Sequence, residues 1–343
     1  MRIAIDVMGG DNAPDAILAG SLNALKLLSA EDRLVLVGDR AVIEKALSEA
    51  GLGDDPRIEI EATTEVIGMD EVPVTAVRSK KDSSIVRMSK LGKTRAGSKR
   101  CEVLISAGNT GACVASVQMD LRRLRGVHRP GIAVTMPTFH GSIILCDVGA
   151  NPVPRATHLH QYGHMARIYA NRVSDIDNPR VALLSIGGEE GKGTPLVVET
   201  HRLMRADPHL NYIGLIEGRD LFNGKAEVVV SEGFTGNVVL KLAEGLAAGL
   251  FRTIAREILE EDPAIAQKFD PVVRKIYARH DYHEFGGAPL LGINGICLIL
   301  HGTSEARTLT AAVRSAIKYN RLDVNQGIID ALADAQTLQE SRT

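Results

Sequence analysis

Short runs of aliphatic and β-branched residues alternate with amphipathic segments along almost the whole chain. The clearest runs are RIAIDV, RLVLVG, RIEIEA, CEVLIS, GIAVTM, SIILCDV, RVALLSI, AEVVVS and GICLILH. Nearly continuous apolar strands between glycine-rich turns are typical of a sheet covered on both faces, and their alternation with helices predicts parallel βαβ crossovers. We therefore predict an α/β fold: a three-layer αβα arrangement around a mostly parallel, doubly wound, Rossmann-like sheet. Only PTFH separates GIAVTM from GSIILCDV, so these two strands are predicted to form an antiparallel pair.

Composition narrows the class of protein further. The chain has 343 residues and no low-complexity tract or proline- and glycine-rich linker, so we predict a single α/β unit over residues 1–343. A net charge of −2, 3% aromatic residues and no tryptophan disfavour nucleic-acid binding. Cys101, Cys113, Cys146 and Cys297 show no C-x-x-C spacing and are predicted to be buried, reduced thiols rather than metal ligands or disulfides.

Hydropathy gives an expectation for location. The N-terminal apolar run is short and interrupted by Asp6, unlike a signal peptide. The longest apolar stretch, APLLGINGICLIL, is interrupted by Asn294 and by glycines, whereas a spanning helix needs about 20 apolar residues. A cytoplasmic protein is expected.

Small polar turns follow six of the predicted strands: MGGDNAP, AGNTGA, GANP, GGEEGKGTP, EGFTGN and the turn at TSEA. In open α/β sheets ligands bind outside the carboxyl ends of the strands. We therefore predict one cleft along one edge of the sheet, with Asn109, Asn151, Lys192 and Asn237 beside it. Each turn on its own also fits ordinary helix capping, and that alternative stays open.

Ser185 to Thr194, SIGGEEGKGT, is close to a nucleotide phosphate loop but departs from it twice. Ile186 occupies the position of the first glycine, and Gly193 that of the Mg²⁺-binding serine or threonine. We predict that Lys192, between Gly191 and Gly193 and just before a helix, binds phosphate as a point charge without a metal. A solvated loop lysine is the alternative.

Taken together, the ordered motifs AIDVMGGDNAP, SAGNTGA, CDVGANP, IGGEEGKGT, EGFTGNVVLK and GGAPLLGINGICLILHG resemble one family, the bacterial acyl-carrier-protein:phosphate acyltransferases of phospholipid synthesis. The resemblance implies transfer of a long acyl group from a carrier-protein thioester to inorganic phosphate, giving acyl phosphate. It also implies a homodimer, no cofactor and no metal, and a fold similar to phosphotransacetylases and isopropylmalate-type dehydrogenases. Asn12, Gly188 and Glu232 depart from the family pattern.

The implied reaction needs positioning, charge neutralisation and an oxyanion site rather than a protein nucleophile. Lys192, Asn237 and His301 are the catalytic candidates. Asn237 is predicted to open a helix, and it either donates to a phosphate oxygen or the developing oxyanion or caps that helix. His301 either protonates the leaving thiolate or is structural. Asp6, Asp11 and Asp147 are expected to orient loop backbone. Phosphate- and substrate-binding residues are expected among Gly9, Gly10, Asp11, Asn109, Thr110, Gly191, Gly193, Thr235 and Gly236.

A basic segment between Arg78 and Arg100 holds nine cations against Asp82 alone, an excess of eight in a chain whose net charge is −2. Acyl carrier protein is strongly acidic, so this segment is predicted to dock it. Solvated surface and nucleic-acid binding are the alternatives. The predicted docking residues are Lys80, Lys81, Arg87, Lys90, Lys93 and Arg95.

A helical hairpin is predicted within residues 236–280, with apolar stripes flanked by cations. Such stripes suit a dimer interface or a lipid surface, and we expect one side of the hairpin in a homodimer and its tip on the membrane. Peripheral contact would bring acyl phosphate to the downstream membrane glycerol-3-phosphate acyltransferase. Three other functions stay open: a CoA-dependent phosphotransacetylase-like enzyme, a metal-dependent hydroxyacid dehydrogenase, and a non-enzymatic, membrane-associated scaffold of lipid synthesis.

Overall fold

One twisted sheet organises the computed structural model, which describes residues 1–261, 269, 271, 272 and 286–340. Eleven strands lie in these residues: β1 (Arg2–Asp6), β2 (Arg33–Gly38), β3 (Ile58–Ala62), β4 (Val103–Ser106), β5 (Gly131–Thr138), β6 (Gly141–Cys146), β7 (Val181–Leu184), β8 (Tyr212–Ile216), β9 (Val228–Val230), β10 (Ala288–Leu291) and β11 (Ile296–Ile299). Their order across the sheet is β3-β2-β1-β4-β11-β10-β5-β6-β9-β7-β8.

Helices cover both faces of this sheet. They are α1 (Asp15–Ala24), α2 (Arg40–Glu49), α3 (Pro73–Ser79), α4 (Ser84–Leu91), α5 (Thr110–Leu121), α6 (Ala156–Ser174), α7 (Pro195–Arg205), α8 (Gly233–Glu261), α9 (Ala306–Arg321) and α10 (Val324–Glu340). Alternate strand residues enter two separate apolar cores: Ile3 and Ile5 pack in one, whereas Ala4 packs in the other. The predicted three-layer αβα architecture is therefore confirmed.

The sheet consists of two parallel groups joined by antiparallel strands. One group is β3, β2, β1, β4 and β11, and the other is β6, β9, β7 and β8. Between them, β10 is antiparallel to β11 and β5, and β5 is antiparallel to β6, as predicted for that pair. Three successive reversals make the two groups run in opposite directions. The prediction that all six polar turns share one edge of the sheet is therefore wrong.

The strand register nevertheless brings both sets of carboxyl ends to one level. Pro289 of β10 pairs with Leu298, and Leu290 pairs with Ile132 of β5. The next residue of β5, Ala133, pairs with Cys146, the last residue of β6. Cys146 therefore lies level with Leu298 near the end of β11. The carboxyl ends of the two groups converge on the middle strands, and a cleft opens there.

The four cysteines are buried and free, as predicted. Cys113 Sγ and Cys297 Sγ lie 3.8 Å apart, too far for a disulfide bond. Burial is the main reason that the pKa of the Cys101 thiol rises to about 11. These thiols therefore serve as small apolar groups of the core.

Helix α8 leaves the sheet and exposes a long apolar stripe. Large apolar side chains recur every fourth residue and are between 46% and 67% exposed. Its members are Phe234, Val238, Leu242, Leu246, Leu250 and Ile254. Most of the second arm of the predicted hairpin, including Val273, Ile276 and Tyr277, lies outside the described residues. Among the helices that the structure describes, none is long and apolar enough to cross a lipid bilayer.

Candidate active site

A small cleft lies where the two groups of strands meet. It encloses a cavity of about 140 Å³ between β11, β5, the first turn of α5 and residues 237–244 of α8. Its polar wall consists of Thr110, Thr135, Asn237, Lys241, Glu244 and His301. Its apolar wall includes Ile132, Val134, Val148, Leu240, Ile299 and Leu300. The structure thus brings three of the candidate residues, Thr110, Asn237 and His301, to one cavity.

The amino end of α5 opens on this cleft. Asn109 caps the helix by accepting a hydrogen bond from Ala112 N at 3.0 Å. Its Nδ2 donates to the carbonyl oxygens of Gly68, Met69 and Glu71 at 3.0–3.2 Å. Asn109 therefore orders the 68–71 loop, while Thr110, the first residue of α5, faces the cavity. Helix amino ends attract anions through their backbone N–H groups.

The loop after β1 packs against the loops after β4 and β11. Asp11 N donates to Gly302 O at 2.7 Å. A Cβ atom on Gly9 would lie 2.3 Å from Asp6 Oδ2 and 2.8 Å from the backbone of Gly108, so a side chain would push these loops apart. Gly10 has a φ of +111°, which favours glycine. The described contacts of Gly9 and Gly10 are thus with neighbouring loops of the protein, and both glycines allow these loops to pack closely.

Two of the three strand-end aspartates orient loop backbone, as predicted. Asp6 is buried and accepts from Ser106 Oγ at 2.7 Å and Met8 N at 3.2 Å. Asp147 accepts from Ile132 N, Ala150 N and Asn151 N at 2.7–3.2 Å. Burial is the main cause that raises the pKa of both carboxyl groups, that of Asp147 to about 6. Their oxygen atoms hold the loops beneath the cleft.

Asn151 contributes to the same framework rather than to the cavity. Its Nδ2 donates to Pro130 O at 2.7 Å and to Asp147 Oδ2 at 3.0 Å. Its own side chain is buried, with 7% exposed. Asn151, which was predicted beside the cleft, therefore has both N–H donors of its amide bound by the protein.

Glu232, not Asn237, caps helix α8. Its carboxylate accepts from Phe234 N at 2.6 Å, from Thr235 N at 3.0 Å and from the Thr235 hydroxyl. The helix begins at Gly233, so Asn237 stands one turn inside it and the expectation that Asn237 opens α8 is wrong. A Cβ atom on Gly236 would lie 2.0 Å from Asp147 O, which explains the close approach of α8 to the β6–α6 loop. Thr235 and Gly236 thus have structural contacts.

Lys241 and His301 meet across the cleft. Lys241 Nζ lies 2.8 Å from His301 Nε2 and 3.0 Å from Glu244 Oε2. His301 Nδ1 lies 2.8 Å from Thr303 Oγ1 and 3.2 Å from Thr303 N, and these contacts orient the ring. Because a lysine ammonium group only donates, His301 Nε2 accepts a hydrogen bond from Lys241 Nζ. The pair places the Lys241 ammonium group on the wall of the cavity, where it can bind an anion.

The sequence analysis did not include Lys241 and Glu244 among the site residues, because charged residues in an amphipathic helix usually lie on its solvent-exposed face. One signal was available: Lys241 follows Asn237 by four residues, which places both on the same face of α8. A helix that brings a predicted site residue to a cleft brings its i+4 neighbour there as well.

Lys192 lies on an exposed loop after β7. Gly191 and Gly193 have φ values of +86° and +103°, and Thr194 caps α7, so both glycines serve the turn. Lys192 is not one of the described residues that line the cavity. Since β9 separates β7 from β6, the ends of β7 and β6 are about 10 Å apart. Lys192 thus shares an edge with the Asp147 loop but lies outside the lining of the cavity.

Part of the basic segment is neutralised within the fold. Lys80 pairs with Glu71 at 2.6 Å and Lys93 with Asp120 at 2.8 Å. Arg87 pairs with Glu61 and also contacts Asp82. The three carboxylates that come from outside the segment lower its local excess of positive charge from eight to five. Lys81 and Arg95 remain exposed.

Comparison with solved structures defines the class of protein. A phosphotransacetylase from Streptococcus pyogenes superimposes with a TM-score of 0.59 over 96% of this chain and 94% of that one, at 16% identity. The EutD phosphotransacetylase from Staphylococcus aureus gives a TM-score of 0.57 over 95% and 94%, at 15% identity. The chain is thus an α/β protein with the phosphotransacetylase fold, which confirms that predicted likeness.

Sequence comparison identifies the family. A phosphate acyltransferase of Heliobacterium modesticaldum is 45% identical over 336 residues, 97% of both chains. One from Dictyoglomus turgidum is 42% identical over 336 residues, 97% of this chain and 98% of the relative. The model of the fatty acid synthesis protein family matches residues 1–327. The chain belongs to this family, so the recognition of phosphate acyltransferases from the ordered motifs is confirmed.

Proposed function

We propose that the protein transfers a long acyl group from the thioester of acyl carrier protein to inorganic phosphate. A phosphate oxygen attacks the carbonyl carbon, the C–S bond breaks, and the carrier thiolate leaves and takes up a proton. The products are acyl phosphate and the free carrier thiol. One observation supports this most directly: the Lys241 ammonium group and the His301 imidazole lie 2.8 Å apart in a cavity that also has an apolar wall.

The phosphate would lie between the amino end of α5 and the Lys241–His301 pair. Thr110 offers a hydroxyl and the helix end offers backbone N–H groups, both suited to an anion. The amino end of α8 suits phosphate less well, because the Glu232 carboxylate already accepts from its N–H groups. Lys192 would approach from its loop as a second cation.

Asn237 would stabilise the developing oxyanion. Its amide is uncharged, exposed and on the cavity wall, one helical turn from Lys241. A donor fixed where charge develops stabilises the transition state more than the bound substrate. The leaving thiolate would take its proton from Lys241 Nζ, directly or by way of His301 Nε2, 2.8 Å away.

The choice of thioester donor separates two candidate functions. The shared fold with phosphotransacetylases favours acyl-CoA as the second candidate. The test incubates purified protein and phosphate with matched palmitoyl-carrier protein or palmitoyl-CoA, and detects palmitoyl phosphate by mass spectrometry. Product from the carrier substrate alone supports the proposal, and product from CoA alone supports the second candidate. No acyl phosphate from either donor would favour the scaffold.

Two surfaces would serve partners of this reaction. The exposed cations of the basic segment, Lys81 and Arg95 among them, would dock the acidic carrier protein. The apolar stripe of α8 would pair with a second copy of the chain and place its far end on the membrane. Acyl phosphate would then pass from a cytoplasmic, peripherally bound dimer to the membrane glycerol-3-phosphate acyltransferase.

A further inference from the structure

Two histidines and one aspartate form a compact cluster away from the cleft. His160 and His164 lie one turn apart on α6, and Asp207 belongs to the connection between α7 and β8. His160 Nε2 lies 2.7 Å from Asp207 Oδ2, and His164 Nε2 lies 2.8 Å from the same oxygen. The imidazole planes are at 86° with ring centroids 5.0 Å apart, so both Nε2 atoms point to one place.

The cluster is shielded from water. The side chain of His164 has no exposed surface, and those of His160 and Asp207 are each 8% exposed. His209 N donates to Asp207 Oδ1 at 2.9 Å, which fixes the carboxylate. Burial opposes its charge, but hydrogen bonds from His160 and His164 keep the pKa of Asp207 below its usual range.

The buried Asp207 carboxylate faces one nitrogen of each imidazole. Arg167, one turn further along α6, is the charged neighbour, and it is shared with Asp334. Buried carboxylates are normally paired with a cation or coordinate a metal ion.

We propose that His160, His164 and Asp207 bind one divalent transition-metal ion of the zinc type. Two imidazole nitrogens and a carboxylate oxygen form a ligand set suited to such ions, and the three ligand atoms lie within 4.8 Å of one another. Ligand atoms of a tetrahedral zinc site are about 3.3 Å apart, so Asp207 Oδ2 must withdraw by about half an ångström. Asp207 can do so because it lies in a connection between two elements. Water would complete the coordination.

This ion would have a structural role. It would link the middle of α6 to the α7–β8 connection and thereby stabilise the helical layer on the β6–β9 side of the sheet. His164 Nδ1 is buried without a hydrogen-bond partner in the described structure. Because metal-binding histidines usually donate their other N–H to an acceptor, we expect weaker binding than at a fully supported zinc site.

Metal titration of the full-length protein tests the proposal. Chelator-treated protein is titrated with Zn²⁺ in a calorimeter and with Co²⁺ as a visible-absorption probe. We expect one equivalent bound, intense Co²⁺ bands typical of tetrahedral coordination, and a melting temperature several degrees higher with Zn²⁺ in large excess. His160→Gln should abolish all three effects, whereas His201→Gln, which alters the His201–Tyr212 contact, should leave them unchanged.

Asp207→Asn offers a second variant that preserves side-chain shape, in case His160→Gln does not fold. It should weaken Zn²⁺ binding at least tenfold, because the anionic ligand is lost. Equal metal binding by the parent protein and both cluster variants would overturn the proposal, as would no binding by the parent protein. In either case the cluster is a hydrogen-bond network only.

Discussion

Lys241 Nζ lies 2.8 Å from His301 Nε2, and this contact joins the two oppositely directed halves of the sheet. Lys241 belongs to α8, which follows β9, whereas His301 follows β11 in the other half. The pair thus closes the cleft at the level where the carboxyl ends of both groups converge. An anionic substrate would exchange this contact for bonds to its own oxygen atoms.

Replacing Lys241 tests its place in the site. Lys241→Met keeps the aliphatic length and removes one charged donor. Since a charged hydrogen bond contributes about 1.5–3 kcal/mol, kcat/KM for phosphate should fall roughly ten- to a hundredfold. Lys45→Met, which breaks the exposed pair with Glu49, is the matched control and should retain full activity. Unchanged phosphate dependence in Lys241→Met would remove Lys241 from the site.

Substitutions at Asn237 and Glu232 distinguish a catalytic role from a helix-capping role. Glu232 accepts the N–H groups of the first turn, so Glu232→Gln should lower the melting temperature by a few degrees through loss of about 1 kcal/mol. Asn237→Ala should leave the melting temperature nearly unchanged and lower kcat at least tenfold, as expected for an oxyanion donor. Thermal melts and steady-state rates check both. A large loss of stability with normal activity per folded Asn237→Ala molecule would contradict this assignment.

The parallel crossovers and both covered faces of the sheet follow from local apolar runs, so the sequence predicts them. Strands β8 and β10 are harder to predict from the sequence. YIGLI contains Gly214 with a φ of +104° at a half-exposed edge, and APLL contains Pro289. Neither has the continuous β-branched pattern of a buried strand.

The direction of the two strand groups could not be predicted from such runs. It depends on β10 and β5, whose pairing joins residues more than 150 positions apart in the chain. The same limit affects the site. Asn109 and Asn237 both follow a strand in a small, glycine-containing polar turn of the sequence. In the structure, however, Asn109 donates to three carbonyl groups, whereas Asn237 faces the cavity. Partners from distant loops decide which polar turn residue remains available to a ligand.

Lys192 should contribute to phosphate use although it does not line the cavity. Lys192→Ala should raise KM for phosphate or lower kcat, with a combined loss of about ten- to a hundredfold. Because the side chain is exposed, its removal should leave the melting temperature unchanged. Phosphate titrations at saturating acyl donor provide the measurement. Parent-like turnover and phosphate KM would show that the loop lysine is only solvated surface.

Carrier docking is tested best at cations that have no structural ion pair with a distant carboxylate. Lys81→Glu combined with Arg95→Glu should raise KM for acyl carrier protein several-fold and weaken its salt dependence, while phosphate KM stays constant. Lys93 is unsuitable, since its replacement would also leave Asp120 unpaired. Arg40→Glu with Lys45→Glu, two exposed cations on α2, is the control. Equal carrier KM in both double variants would place the docking surface elsewhere.

The stripe on α8 is predicted to hold the dimer together, with its far end on lipid. Leu250 is 54% exposed within the stripe, and Val272 is 49% exposed beyond the end of α8. Leu250→Glu should convert dimers to monomers in light scattering, because a buried carboxylate in an apolar interface has no partner. Arg252→Glu, about 200° around the helix from Leu250, places the same charge on the opposite face and should stay dimeric.

Val272→Glu should remain dimeric but lose flotation with anionic liposomes, since a carboxylate there opposes insertion among anionic headgroups. A Leu250→Glu protein that stays dimeric would exclude this stripe as the interface. A dimeric Val272→Glu protein that still floats as well as the parent would exclude Val272 from the lipid contact. Because oligomeric mass and flotation are measured on the same preparations, the two roles of this region are decided separately.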